Sequence, residues 1–139
     1  MVQLIVGEKG KGKTKHLLDK VNNEVKNVSG NIVYLDKSTK HMYELNNKVR
    51  LIDVSDYFID NADEFVGFIS GIASQDHDLE QIYVDSLLIV SKCGEDGVEK
   101  VVKKLETIGD KFGVSFVIAV SVTLDSLSDE FKEKVILAL

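Results

Sequence analysis

Residues Gly7 to Thr14 read Gly-Glu-Lys-Gly-Lys-Gly-Lys-Thr, and they follow an apolar β-branched run, Val2-Gln3-Leu4-Ile5-Val6. The stretch satisfies G-x-x-x-x-G-K-[ST], the spacing of a phosphate loop. Gly7, Gly10 and Gly12 permit positive φ, so the backbone can wrap closely around phosphate oxygens. Successive N–H groups then turn inward, and the positive end of the following helix adds to them. Lys13 is placed to bridge β- and γ-phosphate oxygens, and the Thr14 hydroxyl to ligate magnesium. The remaining loop positions, Glu8, Lys9, Lys11 and Lys15, complete the nucleotide-contacting segment. The three lysines concentrate anions near the site rather than reading sequence or base.

The rest of the chain has the rhythm that such a loop needs. Val2 to Val6 predicts a buried strand, and Lys13 to Val28 a helix with Leu17, Leu18, Val21, Val25 and Val28 on one face. Strands are expected at Asn31 to Asp36, Val49 to Val54, Gln81 to Val90 (at least as far as Asp85) and Val114 to Val122. Lys37 to Lys48 reads equally as a short helix or a loop. Helical spacing recurs from Asn61 to Ser74, from Gly97 to Phe112, and from Ser128, as cap, to Leu139. Apolar strands alternating with amphipathic helices predict a three-layer α/β/α fold around a mainly parallel five-stranded sheet, with residues 1–139 as a single domain.

Composition narrows the function classes. With 44% hydrophobic and 29% charged residues the chain can bury a core, and its net charge of -6 gives no support to nucleic-acid binding by bulk electrostatics. Cys93 is the only cysteine, which excludes an internal disulfide and argues for a reducing, cytoplasmic setting. No apolar stretch approaches the roughly 20 residues that span a bilayer, so no membrane role is expected. His16, His41 and His77 lack metal-ligand spacing.

A magnesium site next to a phosphate loop also requires a carboxylate at the end of a neighbouring strand. Gln81-Ile-Tyr-Val-Asp-Ser-Leu-Leu-Ile-Val90 provides one in Asp85, which with Thr14 makes the metal pair. The segment Val84-Asp85-Ser86-Leu87 resembles the Walker B segment of RecA-like ATPases, a class that includes recombinases and circadian-clock ATPases. The loop form G-x-x-G-x-G-K-T, with its extra Gly10, is frequent in the same division. The whole chain also resembles short bacterial P-loop proteins sometimes labelled twitching-motility ATPases. Pilus-retraction motors themselves carry acidic and histidine boxes that are missing here, so a motor function does not follow.

The resemblance implies an Mg-ATP-binding protein, weakly hydrolytic alone and activated by self-assembly or by a partner that completes the site. Many relatives place Glu directly after the Walker B Asp to activate water, whereas this chain has Ser86. RecA-like proteins often carry the activating carboxylate just after the second strand, which makes Asp36 the catalytic candidate beside Lys13. Asp36 reads equally as a chain-turning cap, and Asp53 is a weaker candidate. Ser121, on the last clear strand, is a candidate γ-phosphate sensor. Arg50 is the only arginine, so a self-supplied positive finger would be Arg50 or a lysine. Two further readings stay open, a non-catalytic nucleotide-binding module and a small-molecule or nucleoside kinase. The scarcity of arginine fits the kinase poorly. Asn47-Lys48-Val49-Arg50 lacks the aspartate of a guanine-reading motif.

Overall fold

The computed structural model describes residues 1–139. Strands β1 (Val2–Val6), β2 (Asn31–Asp36), β3 (Val49–Asp53), β4 (Leu79–Val84), β5 (Ser115–Val120) and β6 (Val135–Ala138) form one sheet in the order β3-β2-β4-β5-β1-β6. Every pairing in it is parallel. The inner strands β1, β2, β4 and β5 are buried over most of both faces, which explains why they read as continuous apolar runs rather than as alternating ones.

Helices cover both faces. Helix α1 (Lys13–Glu24) packs Leu17, Leu18 and Val21 against Ile5, Ile32, Tyr34, Tyr83, Val117 and Ala119. On the other face lie α2 (Ala62–Gln75), the short α3 (Leu87–Ser91) and α4 (Val98–Phe112), over the larger cluster that contains Leu4, Leu35, Phe65, Ile82, Phe116 and Phe131. The Asn61 side chain caps α2 by accepting from the Glu64 N–H at 2.9 Å. Gly113, in left-handed conformation at φ 70°, ends α4. No helix is long and apolar enough to cross a membrane.

Two expectations are corrected. The sheet has six strands rather than five, because the C-terminal segment is not one helix. A single helical turn, α5 (Asp129–Lys132), gives way to β6. Ser128 makes no capping bond; its hydroxyl donates to Glu99 at 2.9 Å. The free edge of β1 explains the outcome. Leu4 N–H donates to the Lys134 carbonyl at 2.9 Å and Leu139 N–H to the Val6 carbonyl at 2.8 Å. An interior strand must have its polar groups paired, and tertiary pairing overrides local helix preference. In the run Gln81 to Val90, β4 stops at Val84 and Leu87–Ser91 coils into α3. Lys37 to Lys48 forms a loop with one 3-10 turn at Met42–Glu44.

Candidate functional site

The carboxyl ends of β1, β2, β4 and β5 converge on a cavity of about 500 Å³, walled by Lys9, Gly10, Gly12, Lys13, Thr14, Lys37, Asp85, Ser86, Leu88, Ile89 and Ser121. This is the edge where open parallel sheets bind ligands. The loop between β1 and α1 forms one side. Gly10 and Gly12 adopt φ 85° and 93°, a region that side chains strain to enter, and they turn the chain sharply into α1.

The backbone N–H groups of residues 8–15 donate to no backbone carbonyl and to no side chain of the protein. Outside this segment, Gly7 N–H donates to Val122 and His16 N–H to Gly12. A continuous run of unpaired donors at a helix N-terminus forms a concavity for an anion. No acidic side chain stands in the first turn of α1 to occupy it.

Lys13 is 8% exposed, and its amine is folded into the loop. It donates to the Gly7 carbonyl at 2.8 Å and to the Glu8 carbonyl at 3.0 Å. Burial lowers its pKa, and the nearby negative charge of Asp85 opposes that shift. Thr14, the next residue, points its hydroxyl at Asp85 Oδ1, 3.3 Å away. Asp85 is 3% exposed, and its Oδ2 accepts from the buried Tyr34 hydroxyl at 2.9 Å. That bond, the negative charges nearby and above all burial push the Tyr34 phenol strongly upward, so it stays a donor.

Strand parity explains the convergence. Tyr34 and Tyr83 share the α1-facing cluster, so Asp36 and Asp85, two residues on, belong to the same face. Leu35 pairs with Val84, which sets Asp36 and Asp85 side by side at the strand ends. The oxygens of Thr14 and Asp85 are hard donors suited to magnesium, which binds through few carboxylates and keeps water and phosphate in its remaining positions.

Of the residues singled out in the sequence, Lys9, Gly10, Gly12, Lys13, Thr14, Asp85 and Ser121 wall the cavity. Gly7 and Glu8 contribute the carbonyls that hold Lys13, while Lys11 and Lys15 are exposed and outside the cavity wall. Asp36 is not part of that wall. It is 1% exposed; its Oδ1 accepts from the Lys37 N–H at 2.7 Å, and its Oδ2 has no partner. Burial first, and the charge of Asp85 second, raise its pKa. Asp53 caps its own turn, accepting from the Ser55 N–H at 3.0 Å. Arg50 lines a separate groove with Asn31, Gln75 and Asp76.

Three contributors escaped the reading of the sequence. Tyr34 was detectable as the residue two before Asp36 on the same face. Lys37 had the signal of following the β2 carboxylate. Ser86 adopts a left-handed conformation at φ 56° and starts the α3 wall, which nothing in its neighbours announces.

No family model matches the chain, and no curated protein matches it. Solved structures do. A KaiC-like protein of the archaeon Pyrococcus horikoshii superimposes with a TM-score of 0.59 at 18% identity, over 85% of this chain and 61% of its own. The flagellar accessory protein FlaH of Methanocaldococcus jannaschii superimposes at 0.58 and 13% identity, over 93% of this chain and 63% of its own. The chain therefore spans about three-fifths of each. The fold is that of RecA-like P-loop domains. The resemblance to twitching-motility proteins finds no support in these matches.

Proposed function

We propose that this chain is an Mg-ATP-binding P-loop protein, held together as one domain, that hydrolyses ATP slowly and depends on a partner or a second copy for full activity. The observation that carries the binding part is the run of unpaired N–H groups from Glu8 to Lys15, curled around a buried lysine. A polyphosphate offers these donors charged oxygens, and it offers Lys13 stronger acceptors than the two carbonyls it now holds. Thr14 and Asp85 are the residues that would hold magnesium, which when bound adds positive charge beside the phosphate oxygens. Tyr34 fixes the Asp85 carboxylate in orientation, as partners behind a metal ligand generally do.

A second reading, a nucleotide-binding module without turnover, draws on two observations. Ser86 follows Asp85 where a water-activating glutamate would be useful, and Asp36 is buried and absent from the cavity wall. Hydrolysis by this chain alone would then be negligible, and a partner would read which nucleotide is bound.

Calorimetric titration with magnesium-ATP and magnesium-GTP, on the wild type and on Lys13→Ala, tests the shared part. Binding of ATP by the wild type and its loss in Lys13→Ala is the expected result. No heat from either nucleotide at millimolar concentration would refute both readings.

A further inference from the structure

We infer that Lys37 reads the terminal phosphate of a bound nucleoside triphosphate, as a cation that the chain supplies to its own site and that separates triphosphate from diphosphate. The inference rests on the nucleotide reading above.

The chain has one arginine, and Arg50 cannot serve the cavity. It pairs in register with Val33, three residues short of the strand end, and lines a groove with Asn31, the first residue of β2. At roughly 3.3 Å per residue, that places its backbone about 10 Å below the carboxyl edge of the sheet. The cavity cations are therefore lysines: Lys9, Lys13 and Lys37. Lys9 belongs to the phosphate loop, and Lys13 is held inside it. Lys37 alone enters from another strand.

Its root is fixed and its head is free. The Lys37 N–H is bound to Asp36 Oδ1 at 2.7 Å, directly at the end of β2, while the side chain is exposed and takes part in no ion pair. Its charge reaches Asp36 and counters part of the upward push on that carboxyl. In the sheet order β2-β4-β5-β1, Lys37 stands beyond the Thr14–Asp85 pair as seen from the loop. Three strand spacings separate β2 from β1, roughly 14 Å. A polyphosphate gripped by loop amides at one end and neutralised near Thr14 and Asp85 extends its outermost group towards β2. A diphosphate stops short.

Lys37 also walls a neighbouring cavity of about 250 Å³ with Ser55, Tyr57, Asp60 and Lys92. That space accommodates the side chain when no terminal phosphate draws it across, with the Asp60 carboxylate in its wall. The position of one flexible cation thus depends on the nucleotide present.

The test compares calorimetric affinities for magnesium-ADP and for a non-hydrolysable magnesium-ATP analogue in the wild type, Lys37→Ala, Lys37→Arg and Lys40→Ala. Lys37→Ala is expected to weaken the triphosphate at least about tenfold, the size of a lost charge-assisted contact, with ADP binding unchanged. Lys37→Arg restores the preference, and Lys40→Ala, outside the cavity, behaves as wild type. An equal loss for both nucleotides, or no loss for either, overturns the role of Lys37 while leaving nucleotide binding intact. If the wild type binds neither nucleotide, the proposed function falls and this inference falls with it.

Discussion

Replacing Asp36 by asparagine should make the protein more stable at neutral pH. The carboxyl is 1% exposed, one oxygen has no partner, and Asp85 stands beside it. A buried polar group without a partner costs about 1–3 kcal/mol, and more when charged. Asparagine keeps the oxygen that accepts from Lys37 N–H and removes the charge, so the gain is the difference between a charged and a neutral orphan, about 1–2 kcal/mol. For 139 residues, an unfolding entropy of roughly 2 cal/mol/K each gives about 0.3 kcal/mol/K, so the midpoint should rise by about 3–7 °C.

The sign of the pH dependence follows from the raised pKa of Asp36. The folded state holds its proton more tightly than the unfolded chain, whose carboxyl titrates near 3.8. The stability associated with that proton is complete below 3.8 and is lost as pH rises through the folded value. The advantage of Asp36→Asn should therefore be small near pH 4 and grow as pH rises towards and through the folded value. Thermal melts followed by circular dichroism in EDTA, at both ends of this range, measure it directly. A variant that melts at or below the wild type at pH 7.5, or one whose gain ignores pH, refutes the argument. The same variant divides the two functional readings. Turnover that falls about 100-fold assigns Asp36 to the chemistry, unchanged turnover removes Asp36 from it, and a wild type that binds ATP but turns over no faster than Lys13→Ala favours the module without hydrolysis.

Tyr34→Phe removes the 2.9 Å bond to Asp85 and leaves the ring packing in place; the magnesium concentration needed for half-maximal ATP binding should rise about tenfold, read by titrating magnesium at fixed nucleotide. Gly109→Ala sets two effects against each other. Alanine favours a helix interior by about 1 kcal/mol, but its Cβ would clash with the Val114 carbonyl oxygen, so a net loss of about 1–3 kcal/mol is expected in urea denaturation. Phe131→Ala, at the fully buried residue joining α5 to the core, should cost about 3–5 kcal/mol in the same assay.

The sequence disclosed most where local chemistry and fold make the same demand. Gly10 and Gly12 were readable because the backbone they permit is the backbone a phosphate requires. The place of Asp85 beside Thr14 was readable because the apolar run before it predicts a parallel strand whose carboxyl end faces such a loop. The C-terminal segment failed for the opposite reason. Phe131 and Val135 stand four apart, as on a helix, and the apolar run Val135-Ile-Leu-Ala138 has too few residues for its period to separate strand from helix. What decided it was the open edge of β1, more than a hundred residues away in the chain.

Asp36 shows a subtler limit, and it bears on what the site is for. Its position at the end of β2 is legible, and so is the face it shares with Asp85, but its depth is not. The structure leaves a costly carboxyl buried outside the cavity wall while the cation that follows it stands in that wall. Both are anchored by one short bond between neighbouring residues, Lys37 N–H to Asp36 Oδ1. Any movement of the β2 end that brought Asp36 towards a bound nucleotide would therefore also move Lys37. A partner pressing on the Lys37–Lys48 loop would thus adjust a carboxylate and a cation together. That coupling is a physical route by which another surface closing on this loop would act on the proposed nucleotide site.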